Sequence, residues 1–239
     1  IVVGAPFYGQ NTNTGPGIVW IYHYNGPTYG WTVLWQSDSS SPPVRTYDSA
    51  RNGTRVAISD DGLVVAFSSL PPSGTTPYAN LRGQVEVLRF ADISDLDPTD
   101  MYSLNAGDWN IAYPTISDQF GTDLQLSANG NTLIVGANNL LQNGQERGGA
   151  FIYTYVTAGA SSQYTEVVVR ADLGQNFGKT VAISGDGSRI AIGLPNWQNG
   201  ANFGAIYLYH FDVSTSSFVF NTYIQSSGSE NLGASAMSL

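Results

Sequence analysis

The 239-residue chain contains no cysteine. That excludes a disulfide framework, thiolate zinc sites and a cysteine nucleophile. Basic residues are scarce: nine Lys and Arg stand against eighteen Asp and Glu, Lys179 is the single lysine, and the net charge is −9. Such a surface repels polyphosphate and anionic lipid, so nucleic acid is not an expected partner. Charged residues make up only 11% of the chain, well below the usual quarter. Solubility must therefore come from Ser, Thr, Asn, Gln and Gly. No apolar run approaches the roughly 20 residues of a membrane-spanning helix, and membrane insertion is not expected. There is no starting Met and no signal-peptide pattern. Ile1 opens directly into "IVVGAP", which reads as a processed product or part of something longer. No stretch has the apolar period of a useful helix. No G-x-S-x-G elbow or spaced Ser/His/Asp set is present.

What the chain does have is a repeat. "FGKTVAISGDGSRIAIGLP" from Phe177 reads as a strand, a tight turn and a second strand. It recurs as "NGTRVAISDDGLVVAFSSL" from Asn52 and "FGTDLQLSANGNTLIVGAN" from Phe120. A fourth copy starts at Leu232 with "LGASAMSL", and its second half matches "IVVGAP" at Ile1. The glycines Gly53, Gly121, Gly178 and Gly233 are 68, 57 and 55 residues apart, near the period of propeller blades. A third strand follows a glycine in each repeat: "GIVWIYHY" at Gly17, "GQVEVLRF" at Gly83, "GAFIYTY" at Gly149 and "GAIYLYHF" at Gly204. Aromatic-rich fourth strands start at Trp31, Tyr164 and Phe218, with a weaker one near Met101. Hydrophobic residues at 42% are enough for a core. Four antiparallel strands repeated in tandem predict an all-β β-propeller.

The pairing of "FG" before the first strand with "GAP" after the second resembles the FG-GAP repeats of integrin α-subunit propellers. Phe120-Gly121 and Phe177-Gly178 keep the FG, and Gly4-Ala5-Pro6 keeps the GAP. Asn52 and Leu232 replace the Phe. Gly136-Ala137-Asn138 and Gly193-Leu194-Pro195 are near matches to GAP, and Ser68-Ser69-Leu70 has lost it. The resemblance implies one propeller domain over residues 1–239. The match in phase between the Leu232 strand and the Ile1 strand gives the expectation that 1–37 and 231–239 share a blade and close a four-blade ring, fewer than the seven blades of the integrin propellers. A larger ring is the competing picture. The resemblance also implies a non-catalytic module at a cell surface or outside the cell, binding a protein or glycan or other copies in a larger assembly. A carbohydrate-active enzyme with a carboxylate pair on the loop face, or a repeat of a surface filament, are the alternatives.

Integrin-type blades hold calcium in a D-x-D-x-D-G-x-x-D hairpin. Here only the fifth and sixth positions survive, as Asp61-Gly62, Asn129-Gly130 and Asp186-Gly187. Too few oxygens remain for Ca²⁺, and no cofactor is expected. The densest acidic stretch, with Asp92, Asp95, Asp97 and Asp100, is a weak metal candidate. Its bland reading is a solvated, turn-rich loop. His23 and His210 recur at one strand position where Arg89 and Thr154 stand in the other repeats, which reads as an outward-facing site rather than a ligand set. Asn52-Gly53-Thr54 fits a glycosylation sequon at the FG position. The loops expected on one face carry aromatic residues amid small polar ones. Tyr8, Tyr47, Tyr78, Trp109 and Trp197 are the candidate binding residues there.

Overall fold

A computed structural model describes residues 1–9, 16–37, 51–70, 83–92, 98–104, 119–142, 145–146, 148–158, 161–169, 176–199, 202–227, 231–235 and 237–239. Four antiparallel sheets follow one another along the chain. The first pairs β1 (Val2–Ala5), β2 (Ile18–Tyr24) and β3 (Trp31–Gln36), with one helical turn, α1 (Gly26–Tyr29), between the last two. The second pairs β4 (Asn52–Ile58), β5 (Val64–Ser69), β6 (Gln84–Arg89) and β7 (Asp100–Leu104) in that order. In the third, β8 (Phe120–Leu126) and β9 (Thr132–Ala137) precede a small hairpin of β10 (Leu141–Gln142) and β11 (Gln145–Glu146). β12 (Gly149–Ala158) and β13 (Ser161–Val169) complete that sheet. The fourth pairs β14 (Val181–Ile183), β15 (Arg189–Asn199), β16 (Asn202–Asp212) and β17 (Ser217–Gln225). The molecule is thus all-β and propeller-like, with the strands of each sheet laid down in chain order.

The repeated hairpin turn is locked by its own side chains. Ser59 Oγ donates to Asp61 Oδ1 at 2.6 Å, and the same oxygen accepts from the Leu63 N–H at 2.9 Å. Ser59 Oγ accepts in turn from the Val64 N–H. Ser127 with Asn129, and Ser184 with Asp186, repeat all three bonds. Asp and Asn are suited to this because a short side-chain oxygen can stand in for a backbone acceptor. Successive turns are also tied together: the Asp60 N–H donates to the Ala128 carbonyl, and the Ala128 N–H to Gly185.

The strand alternation gives each sheet two apolar faces, and consecutive sheets pack face to face. Val19, Ile21 and Trp35 of the first sheet meet Val65, Phe67 and Leu88 of the second. Val64, Ala66, Val85 and Val87 on the opposite face of the second meet Phe120, Leu133 and Phe151 of the third. Ile134, Ala150 and Ile152 of the third meet Phe177, Ile190, Ile192 and Tyr207 of the fourth. Each fully buried Phe, Leu or Ile contributes roughly 1.5–3 kcal/mol against exposure.

The motif glycines sit where these faces touch. Gly53 has φ +83°, and a Cβ there would lie 2.7 Å from the Gly4 Cα. Gly136 faces Gly178 in the same way, and Gly193 faces Gly233. In the remaining junction Ser68, which occupies the lost GAP position, faces Gly121. The FG of one sheet is therefore seated on the GAP position of the sheet before it. Parallel bridges Gly17–Asn52, Gly148–Phe177 and Gly204–Leu232 mark the same seat.

The expected ladder between residues 1–6 and 232–239 is absent among the described residues. β1 pairs with β2 alone. The segment from Leu232, the first strand of the expected shared blade, is held elsewhere: Leu232 bridges to Gly204, the Thr180 hydroxyl donates to the Gly233 carbonyl at 2.7 Å, and the Gln125 amide donates to the Met237 carbonyl at 2.8 Å. These contacts hold the segment on the fourth sheet and beside β8. Among the described residues three inter-sheet cores are formed, and one face of the first sheet and one of the fourth carry exposed apolar side chains.

Candidate functional site

Two polar or aromatic constellations stand out from the core. The first lies where β1 ends against the second sheet. The chain turns after Ala5, whose carbonyl accepts from the Tyr8 N–H, and the Tyr8 carbonyl accepts from the Gly17 N–H. Phe7 and Tyr8 are thereby held out of the sheet, 48% and 54% exposed. The Tyr8 ring packs edge-on against Trp20, with centroids 5.2 Å apart and planes at 85°. The Arg51 guanidinium carbon lies 5.2 Å from the centre of the Phe7 ring, a cation–π distance. Arg51 itself is fixed in the left-handed region, φ +55°, by the turn that leads into the second sheet. Its carbonyl accepts from the Thr54 N–H and hydroxyl. Two half-exposed rings are thus presented to solvent, Tyr8 braced by Trp20 and Phe7 by Arg51.

The second constellation runs along the innermost strands. Arg55 of β4 lies 3.5 Å from Asp123 of β8. Asp123 Oδ2 accepts from the Val181 N–H at 2.9 Å, and Gln125 Oε1 accepts from the Ile183 N–H at 3.2 Å. The side chains of β8 therefore cap the open edge of β14. Burial pushes the Asp123 carboxyl above its usual range, while the Val181 N–H and the Arg55 charge pull it back. A further carboxylate, Glu86, is completely buried, and it accepts from the Ser103 hydroxyl at 2.7 Å and from the Gln84 amide. These groups are consumed by hydrogen bonds of the fold, which is the ordinary fate of a buried carboxylate.

Of the aromatic candidates, Tyr8 is placed as described. Tyr47, Tyr78 and Trp109 lie outside the described residues. Trp197 falls within β15 rather than in an open connection, because β15 and β16 extend past the Gly193 position as a long hairpin with a register shift between Leu194 and Gln198. Its side chain is outside the described set. Of the acidic candidates, Asp92 is exposed, and Asp95 and Asp97 lie outside the described residues. Asp100 starts β7 and receives a long hydrogen bond, 3.5 Å, from the Tyr155 hydroxyl. The Tyr155 ring lies under the Arg89 guanidinium at 3.8 Å, and Arg89 also donates to the Gly130 carbonyl and to Asn131. Asp100 therefore belongs to a link between the second and third sheets. Among the described residues no group of three or more His, Cys, Asp or Glu is gathered so as to hold a metal ion. His210 is exposed and His23 half-buried on their strands.

Phe7, Trp20 and Arg51 were not singled out together by the sequence reading. Their pairing depends on the first sheet meeting the second, and no local signal in the sequence reports that contact.

No family model matches the chain, and no curated protein matches it. Among solved structures, a protein from Lactobacillus plantarum is similar at TM-score 0.51 and 12% identity, over 90% of this chain and 52% of that one. A functionally unknown protein from Desulfotomaculum acetoxidans aligns at TM-score 0.35 and 12% identity, over 86% of this chain and 62% of that one. The chain thus spans about half the length of the first. At this identity the likeness concerns the fold alone.

Proposed function

We propose that this chain is a non-catalytic binding or assembly module, a run of β-propeller blades of the FG-GAP kind, acting at a cell surface or outside the cell on a protein or glycan. The observation that carries the reading is the half-exposed ring pair of Phe7 and Tyr8, buttressed by Arg51 and by Trp20 of β2. Rigid, exposed aromatic rings lose little conformational entropy on binding and offer both an apolar face and, in Tyr, a polar tip. The propeller reading rests on the sheet-to-sheet order and on the repeated seat of FG on GAP.

The experiment is a glycan array of neutral oligosaccharides, with surface cross-linking and mass spectrometry for protein partners. The Phe7→Ala/Tyr8→Ala double variant should lose binding by about 30-fold or more, as expected when hot-spot rings are removed. Its melting temperature should stay close to that of the wild type, since both rings are exposed. Wild-type binding by the folded double variant would overturn this assignment of the surface.

A further inference from the structure

We propose that the Arg51 guanidinium is the seat for a carboxylate, and that the ligand of this surface is a glycan in which acidic sugars are set among neutral ones. This rests on the reading of Phe7 and Tyr8 as a binding surface and adds the charge that selects the ligand.

The residue that precedes the FG position lies in the left-handed region at all three junctions: Arg51 at φ +55°, Gln119 at +55° and Asn176 at +70°. At the third junction Asn176 meets the residues that follow β9, and amides close the contact. Asn138 Nδ2 donates to Asn176 Oδ1 and to Asn139 Oδ1, both at 3.0 Å. At the first junction Pro6 stands at the place of Asn138, and Phe7 at that of Asn139. Neither offers a side-chain acceptor. Arg51 meets the Phe7 ring instead, 5.2 Å from its centre. The turn after β1 and the turn into β4 form the two sides of an internal junction, so this contact does not depend on either outer face.

Arg51 is a charge without a counter-charge. Arg55 pairs with Asp123 at 3.5 Å and donates to the Thr54 carbonyl, and Arg89 donates to the Gly130 carbonyl and to Asn131. Among the described residues no carboxylate pairs with Arg51, and its Nε is buried with no hydrogen-bond partner. A ring face attracts the cation but does not replace an anionic acceptor. A buried donor left without an acceptor is costly, and folds rarely leave one. A carboxylate supplies what is missing, because its two oxygens match the planar guanidinium fork. Arg51 as a whole is only partly buried, which leaves the side chain within reach of a solute.

The charge comes with two flat rings. Phe7 and Tyr8 are half-exposed, and such rings suit the apolar faces of sugars, with the Tyr hydroxyl left for a sugar hydroxyl. A guanidinium beside them selects a sugar that carries a carboxylate. The net charge of −9 disfavours a dense polyanion such as a heavily sulfated chain. An isolated sugar acid, with a planar carboxylate on a ring of apolar faces, fits the rings and the charge together. An acidic peptide shares the carboxylate but not the flat ring.

Calorimetry on the 239-residue chain tests this, after an array screen. The probes are oligosaccharides that carry one glucuronic or galacturonic acid, each beside its carboxyl-reduced form. The acid form should bind about 30-fold or more tightly than the reduced form. Arg51→Gln should remove that difference, and the backbone should tolerate it because Gln119 holds the same place at the same φ. Arg51→Lys keeps the charge without the fork and should lose most of the difference as well. It serves as the test if the Gln variant does not fold. Phe7→Ala/Tyr8→Ala should weaken both forms together. Equal binding of the acid and reduced forms, or an acid preference that survives Arg51→Gln, would overturn the proposal. Should the ring double variant still abolish that binding, the rings remain a binding surface. An acid preference that needs Arg51 but not the rings would keep the carboxylate seat and remove the rings from the surface. Binding to glutamate-rich peptides with none to the acidic glycans, or binding to neither, would also overturn the proposal.

Discussion

At the scale of single residues, two glycines of equal backbone conformation have different duties. Gly178 (φ +84°) has its missing Cβ aimed into the Gly149 carbonyl, whereas Gly26 (φ +81°) has nothing within 4 Å of that point. Replacing Gly26 by Ala costs only the left-handed conformation, about 1–2 kcal/mol. Gly178→Ala adds a backbone collision that neither sheet can relieve alone, and should cost more than about 4 kcal/mol. Urea midpoints of the two variants check this, and equal losses would show that the close approach is dispensable. Asp186 gives a pH signature. Hydrogen bonds from the Ser184 hydroxyl and from the Ser188 N–H and hydroxyl hold its carboxyl down at about 2. A depressed carboxyl stabilises the fold fully above its unfolded value near 3.9 and loses that contribution as pH falls through about 2. Asp186→Ala should therefore flatten the fall of melting temperature between these two pH values. An unchanged acid limb would show that the turn does not depend on the charge.

At the scale of elements, the hairpins were legible because their chemistry is local. Ser-x-Asp-Gly and Ser-x-Asn-Gly encode a turn whose every bond lies within six residues. The third strands were legible from the glycines that precede them, and Met101 does fall within β7. What escaped the sequence reading is whatever joins one sheet to the next. FG and GAP occur as a pair within each repeat, but the glycines meet across repeats. Asp123 and Gln125 carry no local signal of the role they take, which is to cap the edge of β14. The second-to-third connection of the last repeat reads as a polar loop, but forms part of a long hairpin. Asp123 offers a test of the edge-capping role. Its carboxyl is raised by burial, so the folded chain holds the proton more tightly than the unfolded chain does. The favourable term is full below the unfolded value near 3.9 and is lost as pH rises through the folded value. Asp123→Asn keeps an acceptor for the Val181 N–H without the charge. Relative to wild type, the variant should gain stability between pH 4 and pH 7 in urea titrations. A relative loss over that interval would mean that the Arg55 contact outweighs burial.

At the scale of the molecule, the sheets form a series in which each touches only its neighbours, and stability is distributed accordingly. The second and third sheets are covered on both faces, and β5 is buried along its whole length. The first and fourth each keep one open face, and β17 is exposed at most positions. Local opening therefore costs less at the two ends of the series than in its middle. Amide hydrogen exchange should show β5, β6, β9 and β12 as the slowest strands. β1, β3 and β17 should exchange earlier. The apolar clusters give the physical reason: Phe67, Phe120 and Phe177 are each completely buried between two sheets, so opening an inner sheet breaks two cores and opening an outer one breaks a single core. Uniform protection across the four sheets would refute the serial picture, because it would require the first and fourth sheets to open together with the inner two.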